Sequence, residues 1–125
     1  MTPISAAQVK ELHKELITGI GGSSGIRDEN LLESALASPF HTFGGKDLYP
    51  TITAKIARIA YGIVSNHPFV DGNKRIGTHL MAVLLDLYNI NVCFTKDEIV
   101  EIGLSLANGK MNDSQLNDLI IAKAS

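Results

Sequence analysis

Apolar residues recur at intervals of three and four along nearly the whole chain, and most such runs are bounded by a capping residue or a glycine. No other feature constrains the fold as much, because this spacing puts one stripe of side chains on one face of a helix. Ser5-Ala6-Ala7-Gln8 has the form of a capping box, and Val9, Leu12, Leu16 and Ile20 follow at helical spacing, with a stop expected between Gly19 and Gly22. Asp28 is placed to start a short second helix with Leu31, Leu32, Ala35 and Leu36 inward, ended by Pro39. A third helix runs from Thr51 to about Asn66 on Ile52, Ile56, Ile59, Ala60, Ile63 and Val64. A fourth begins at Asn73 and carries Ile76, Leu80, Val83, Leu84 and Leu87. Thr95 to Glu98 forms a second capping box ahead of Ile99, Ile102 and Leu106, with Asn108-Gly109 as the stop. Asn112 and Gln115 open a last helix with Leu116, Leu119 and Ile120. Residues 39–50, PFHTFGGKDLYP, break the period, and Gly44-Gly45 suits a tight hairpin turn. The expectation is one all-α domain over residues 1–125, with about six helices and one small β-hairpin.

Composition narrows the function. At 45% hydrophobic and 19% charged residues, the chain is expected to fold rather than stay disordered. A net charge of −2 and a pI near 6.0 argue against a nucleic-acid-binding surface. The single cysteine, Cys93, permits no internal disulfide, and its apolar neighbours Ile90, Val92 and Phe94 suggest that it is buried. The N-terminus does not read as a signal peptide, and no apolar run reaches membrane-spanning length, so the expected location is the cytoplasm. Four histidines, His13, His41, His67 and His79, show no helical metal-binding spacing; His13 reads as a rim or core residue. The GIGGSSG stretch at 19–25 is a poor dinucleotide fingerprint, with its last glycine one position late and a helix where a strand should precede it; it reads as a helix stop and flexible turn. Arg27 and Asp28 read as a turn and a helix cap.

The chemistry concentrates between the two most apolar helices, in HPFVDGNKRIG, residues 67–77. Gly72 precedes a helix start, where backbone N–H groups are free and can cradle an anion. Lys74 and Arg75 lie in the first helical turn, where cations oppose the helix dipole unless an anion binds there. Asp71 is a hard oxygen ligand fit for Mg²⁺ shared with phosphate oxygens. His67 is a general-base candidate, and Phe69 would pin the loop to the core. Base, metal ligand, cradle and cations are the parts of phosphoryl or nucleotidyl transfer; the plainer alternative is a solvated interhelical turn.

HPFVDGNKR resembles the core motif of the Fic/Doc superfamily, His-x-Phe-x-[Asp/Glu]-[Gly/Ala]-Asn-[Gly/Lys]-Arg. The likeness extends over nearly the whole chain, and GGSSGIRDENLLESALASP, with the helix order, is similar to the death-on-curing (Doc) branch of small bacterial toxins. The resemblance implies a Fic fold with a β-hairpin flap, at residues 39–50, beside the active loop. It implies His67 as the base, Asp71 as the Mg²⁺ ligand, and Gly72, Asn73, Lys74 and Arg75 as the residues holding the phosphates of ATP, with Arg75 also catalytic.

Two positions bear on what is transferred. AMP-transferring members carry Gly where this chain has Lys74, and a second Arg where it has Thr78. Both departures match Doc, while Ile76 replaces a threonine often found there. The Doc pattern implies a kinase that moves the γ-phosphate of ATP to a Thr/Ser hydroxyl of a translation factor, elongation factor Tu, and so halts translation. AMP transfer and a non-catalytic binding scaffold remain the alternatives. The nearest lookalike of an inhibitory Ser/Thr-x-x-x-Glu helix, GIRDEN from Gly25 to Asn30, has Glu29 but begins with Gly. It is not read as one, because the second Arg that would pair with the Glu is missing. The resemblance instead implies a separate antitoxin whose disordered tail folds onto this protein.

Overall fold

A computed structural model describes residues 1–124 and consists mainly of six helices. They are α1 (Ala6–Ile20), α2 (Glu29–Ala37), α3 (Ile52–Asn66), α4 (Asn73–Leu87), α5 (Lys96–Ala107) and α6 (Asp113–Lys123). A 3-10 turn, Ser38–Phe40, carries the Pro39 stop, and strands β1 (Thr42–Phe43) and β2 (Lys46–Asp47) pair antiparallel across Gly44-Gly45. Both turn glycines have positive φ, 60° and 79°, the backbone that a two-residue hairpin turn demands.

Local chemistry sets the helix ends. Ser5–Gln8, Thr95–Glu98 and Asn112–Gln115 all close reciprocal capping boxes. Asp28 accepts from the N–H groups of Asn30 and Leu31, and Thr51 from that of Ala54. Each such cap stabilises its helix by about 1 kcal/mol.

The core is one contiguous cluster built around α3, which packs against α2, α4, α5, α6 and the 3-10 turn. Its Ile56, Ala57, Ile59, Ala60 and Ile63 are all at most 1% exposed. Helix α4 lies so close to α3 that a Cβ at Gly77 would come within 2.6 Å of Val64 Cγ2. Arg58 leaves α3 to pair with Asp113 of α6 at 3.2 Å, and its guanidinium lies over the rings of Tyr49 and Tyr61.

The helical stripes are shifted slightly from those expected. Val9, His13 and Ile17 form the buried line of α1, and Ile20 is exposed because the helix ends there. Ile52 and Leu87, at helix ends, are exposed too. Cys93 is exposed rather than buried. Residues 90–94 belong to neither helix nor strand, and half-buried Ile90, Val92 and Phe94 alternate with exposed Asn91 and Cys93. Period-two alternation turns the thiol outward. No helix among the described residues is long and apolar enough to cross a membrane.

Candidate active site

The loop between α3 and α4 begins with a strained residue. His67 ends α3 in the left-handed region, φ 55° and ψ 52°, a place where glycine is usual. Such a conformation costs a non-glycine residue about 1–3 kcal/mol and persists only where the surroundings impose it. Here Arg27 imposes it: its Nε donates to His67 O at 2.7 Å and its Nη2 to Asn66 O at 2.9 Å. A guanidinium on the last carbonyls of α3 also complements the helix dipole. The His67 side chain stays exposed.

The next residues are held from two sides. The N–H groups of Arg27 and Asp28 both donate to Pro68 O, at 2.7 and 3.0 Å, and Val70 N–H donates to Gly25 O at 2.9 Å. Ile26 and Phe69 form an isolated β-bridge. From the other side, Asn73 bonds Phe69 twice: Phe69 N–H donates to Oδ1 at 2.9 Å, and Nδ2 donates to Phe69 O at 3.0 Å. Asn73 is 4% exposed, and both ends of its amide are committed to bracing the loop. The Phe69 ring is buried, as expected, and stacks on His13 with centroids 3.8 Å apart.

Asp71 and Gly72 close the loop. Gly72 N–H donates to Asp71 Oδ1 at 2.8 Å, and Asp71 O accepts from His13 Nε2 at 2.7 Å. Gly72 caps α4 with φ 77° and no side-chain cap. A Cβ there would meet Ile17 Cδ1 at 3.1 Å, and one at Gly22 would meet Asp71 Oδ2 at 2.6 Å. Lys74 and Arg75 are exposed in the first turn of α4, and neither joins an ion pair among the described residues. Arg75 Nη1 is 3.5 Å from Gly21 O.

A cleft of about 290 Å³ gathers His67, Asp71, Gly72, Asn73, Lys74 and Arg75, with Val64, Val70 and Ala107 as its apolar lining. All six residues singled out by the loop motif are therefore brought together. Thr78 is 5% exposed; its hydroxyl donates to Lys74 O, and its methyl lies 3.6 Å from where a Cβ on Gly103 of α5 would stand. A larger cavity, about 480 Å³, lies by the C-terminal half of α4 and residues 90–94; its lining has one carboxylate, Asp86, and no cation. Volume favours that cavity, but convergent charge favours the cleft.

The donor set has a definite bearing on a metal. Among the described residues no three His, Cys, Asp or Glu side chains cluster to hold an ion. Asp71 offers a single, oriented carboxylate beside backbone N–H groups and two cations. That suits Mg²⁺ arriving on a nucleotide, which keeps one or two carboxylates and completes its shell with phosphate oxygens, and does not suit a protein-caged ion.

Two contributors escaped the sequence reading. The glycine-rich 19–25 stretch and Arg27 form one wall of the active loop, where a flexible turn was expected. His13 is a buried prop under Asp71, 1% exposed. Its only sequence mark is its place between Val9 and Ile17 on the buried line of α1.

Comparison with known proteins adds two findings. The profile of the Fic/DOC family matches residues 3–85, about two thirds of the chain. Over 55 residues the chain is 44% identical to a protein named Toxin Doc from Mycolicibacterium smegmatis (strain ATCC 700084 / mc(2)155). That stretch covers 44% of this chain and 42% of that protein, so the match spans less than half the length of the relative.

Proposed function

This chain belongs to the Fic/DOC family, and from that membership we propose that it is a Doc-like toxin, a protein kinase that moves the γ-phosphate of ATP to a Thr or Ser hydroxyl. The observation that carries the kinase reading is the pairing of Lys74 with Thr78. Thr78 is buried against α5 with its hydroxyl bonded to the backbone of α4, so the second arginine that AMP transfer relies on has no counterpart at this position. The exposed Lys74 adds a cation at the cleft instead. This favours a nucleotide seated with its terminal phosphate toward His67.

In this reading His67 takes the proton from the target hydroxyl as the oxygen attacks the γ-phosphorus. The bond to the β–γ bridging oxygen breaks, and ADP leaves. The N–H groups at the start of α4, with Lys74 and Arg75, hold the phosphates and offset their charge. Mg²⁺ bound on the nucleotide would supply further charge neutralisation, with Asp71 as its protein ligand. The hairpin was expected beside the loop, but it sits at the N-terminal end of the 15-residue α3, while His67 caps the C-terminal end. A target segment paired to the hairpin would therefore have to run along α3 to bring its hydroxyl to His67. Elongation factor Tu is the proposed target, a cognate antitoxin with a disordered tail the proposed partner, and the bacterial cytoplasm the proposed location.

Incubation with ATP labelled at one phosphate tests the reading. Label from the γ-position on elongation factor Tu, lost in His67→Ala, is the expected result. Label from the α-position would instead identify an AMP transferase. Growth arrest that persists in His67→Ala, with no label from either position, would identify a non-catalytic scaffold.

A further inference from the structure

We infer that His13, on α1 and outside the loop motif, is a positioning residue that sets the direction of the Asp71 carboxylate through the Asp71–Gly72 peptide. Its effect on cation binding rests on the reading of Asp71 as the nucleotide-borne cation's ligand; its effect on the loop does not.

The chain of contacts is short. A carbonyl can only accept, so the 2.7 Å contact from Nε2 to Asp71 O requires the proton on Nε2. That bond turns the Asp71 carbonyl inward, toward α1. The peptide is trans, so its N–H points the opposite way, out of the core. The outward N–H is the one that donates to Asp71 Oδ1 at 2.8 Å. The carboxylate is thereby held at the cleft it shares with Lys74 and Arg75, with Oδ2 close against Gly22. His13 never reaches the cleft; its ring is fixed by the stack on Phe69, at 11° between planes, and it is 1% exposed.

Two further features fit this role better than plain core packing. A histidine used only to fill space would do worse than leucine or phenylalanine, because its Nδ1 is buried with no hydrogen-bond partner among the described residues. Retaining it there makes sense if the Nε2 bond is what matters. Ile17, one turn further along α1, takes up the space beside Gly72, so α1 packs on this end of the loop through two side chains.

The test uses the full chain, ¹⁵N-labelled and without ligand, and follows the Gly72 amide. His13→Phe keeps a ring over Phe69 but has no donor. His13→Gln loses the ring but carries an N–H that reaches as far as Nε2. In His13→Phe the Gly72 amide is expected to lose its hydrogen-bonded shift and exchange protection. Mn²⁺–ADP affinity is expected to fall by about tenfold or more, as when an outer partner of a metal ligand is removed. His13→Gln is expected to recover most of both, despite its poorer packing and lower melting temperature. A wild-type Gly72 amide in His13→Phe overturns the inference, and so does His13→Gln behaving no better than His13→Phe. Should His13→Phe not fold, His13→Asn, too short to reach Asp71 O, takes its place with the same expectation. Asp71→Asn separates the two readings. Undiminished Mn²⁺–ADP binding there removes Asp71 as the cation ligand, while the Gly72 amide still decides the role of His13.

Discussion

The active loop and the flap are both short, glycine-containing connections that flank α3, yet they are held in opposite ways. In the active loop, the carbonyls of Asn66, His67, Pro68, Phe69 and Asp71 all have partners, drawn from α1, the α1–α2 connection and α4. In the flap, two residue pairs and a bond from Leu48 N–H to His41 O hold the hairpin, and Phe43 at its tip is 80% exposed. Only the flap's base is tied down. Lys55, 8% exposed, reaches from α3 to the carbonyls of both Pro39 and Tyr49, and its ammonium lies 3.7 Å from Asp47. Under the proposed function the loop carries the reacting groups, which have to be held within fractions of an ångström, and its many polar contacts suit that role. The flap's few backbone bonds leave free edges, which would suit the proposed strand pairing with a target.

The sharpest way to break this contrast is at His67. His67→Gly removes the proposed general base, a role worth about 10²–10⁴ in rate. The same change relieves the left-handed backbone and is expected to raise stability by about 1 kcal/mol. Denaturant unfolding beside a phosphotransfer assay checks both; a destabilised variant would mean that the side chain, not Arg27, holds the loop end. Next in size is Asn73→Leu, which leaves the buried N–H and C=O of Phe69 unpaired. A loss of about 3 kcal/mol is expected, read as a drop in the urea midpoint, with hydrogen exchange at residues 68–72 rising while the flap is unchanged.

Lys55→Met is the mirror experiment. It strands the carbonyls of Pro39 and Tyr49 at a cost of about 2 kcal/mol. Exchange is expected to rise at residues 41–48 and not at 68–72; a rise in both would show that the two regions share one support. The smallest effect is a pH response at the flap base. Burial pushes the Tyr49 phenol above its ordinary value, although the nearby Arg58 pulls it down. The folded protein thus holds this proton more tightly than the unfolded chain. The resulting stability is present below the ordinary tyrosine range and is lost as pH rises through the folded-state value. Thermal melts across alkaline pH, compared with Tyr49→Phe, are expected to differ in this direction, while the active loop's exchange pattern stays the same.

Much of the fold was legible because the forces that set it are local. A capping box joins residues three apart, an apolar stripe joins residues three and four apart, and Gly44-Gly45 carries its own turn preference. Six helices, the hairpin and the loop motif could all be read at that range. The fate of Cys93 could not, because a short apolar run does not declare whether it is buried in a core or laid along a surface.

The sequence by itself determined the helices, their caps, the hairpin and the chemical parts of the loop. The tertiary structure alone decided what holds those parts in place. His13 meets Asp71 across 58 residues of chain, and Arg27 meets His67 across 40. Such contacts leave no periodic or spacing mark, because they come from packing α1 and the α1–α2 connection against α4 and the loop. An arginine capping a helix from a distant segment, and a histidine buried as a donor, differ from an ordinary turn and an ordinary core residue only once that packing exists.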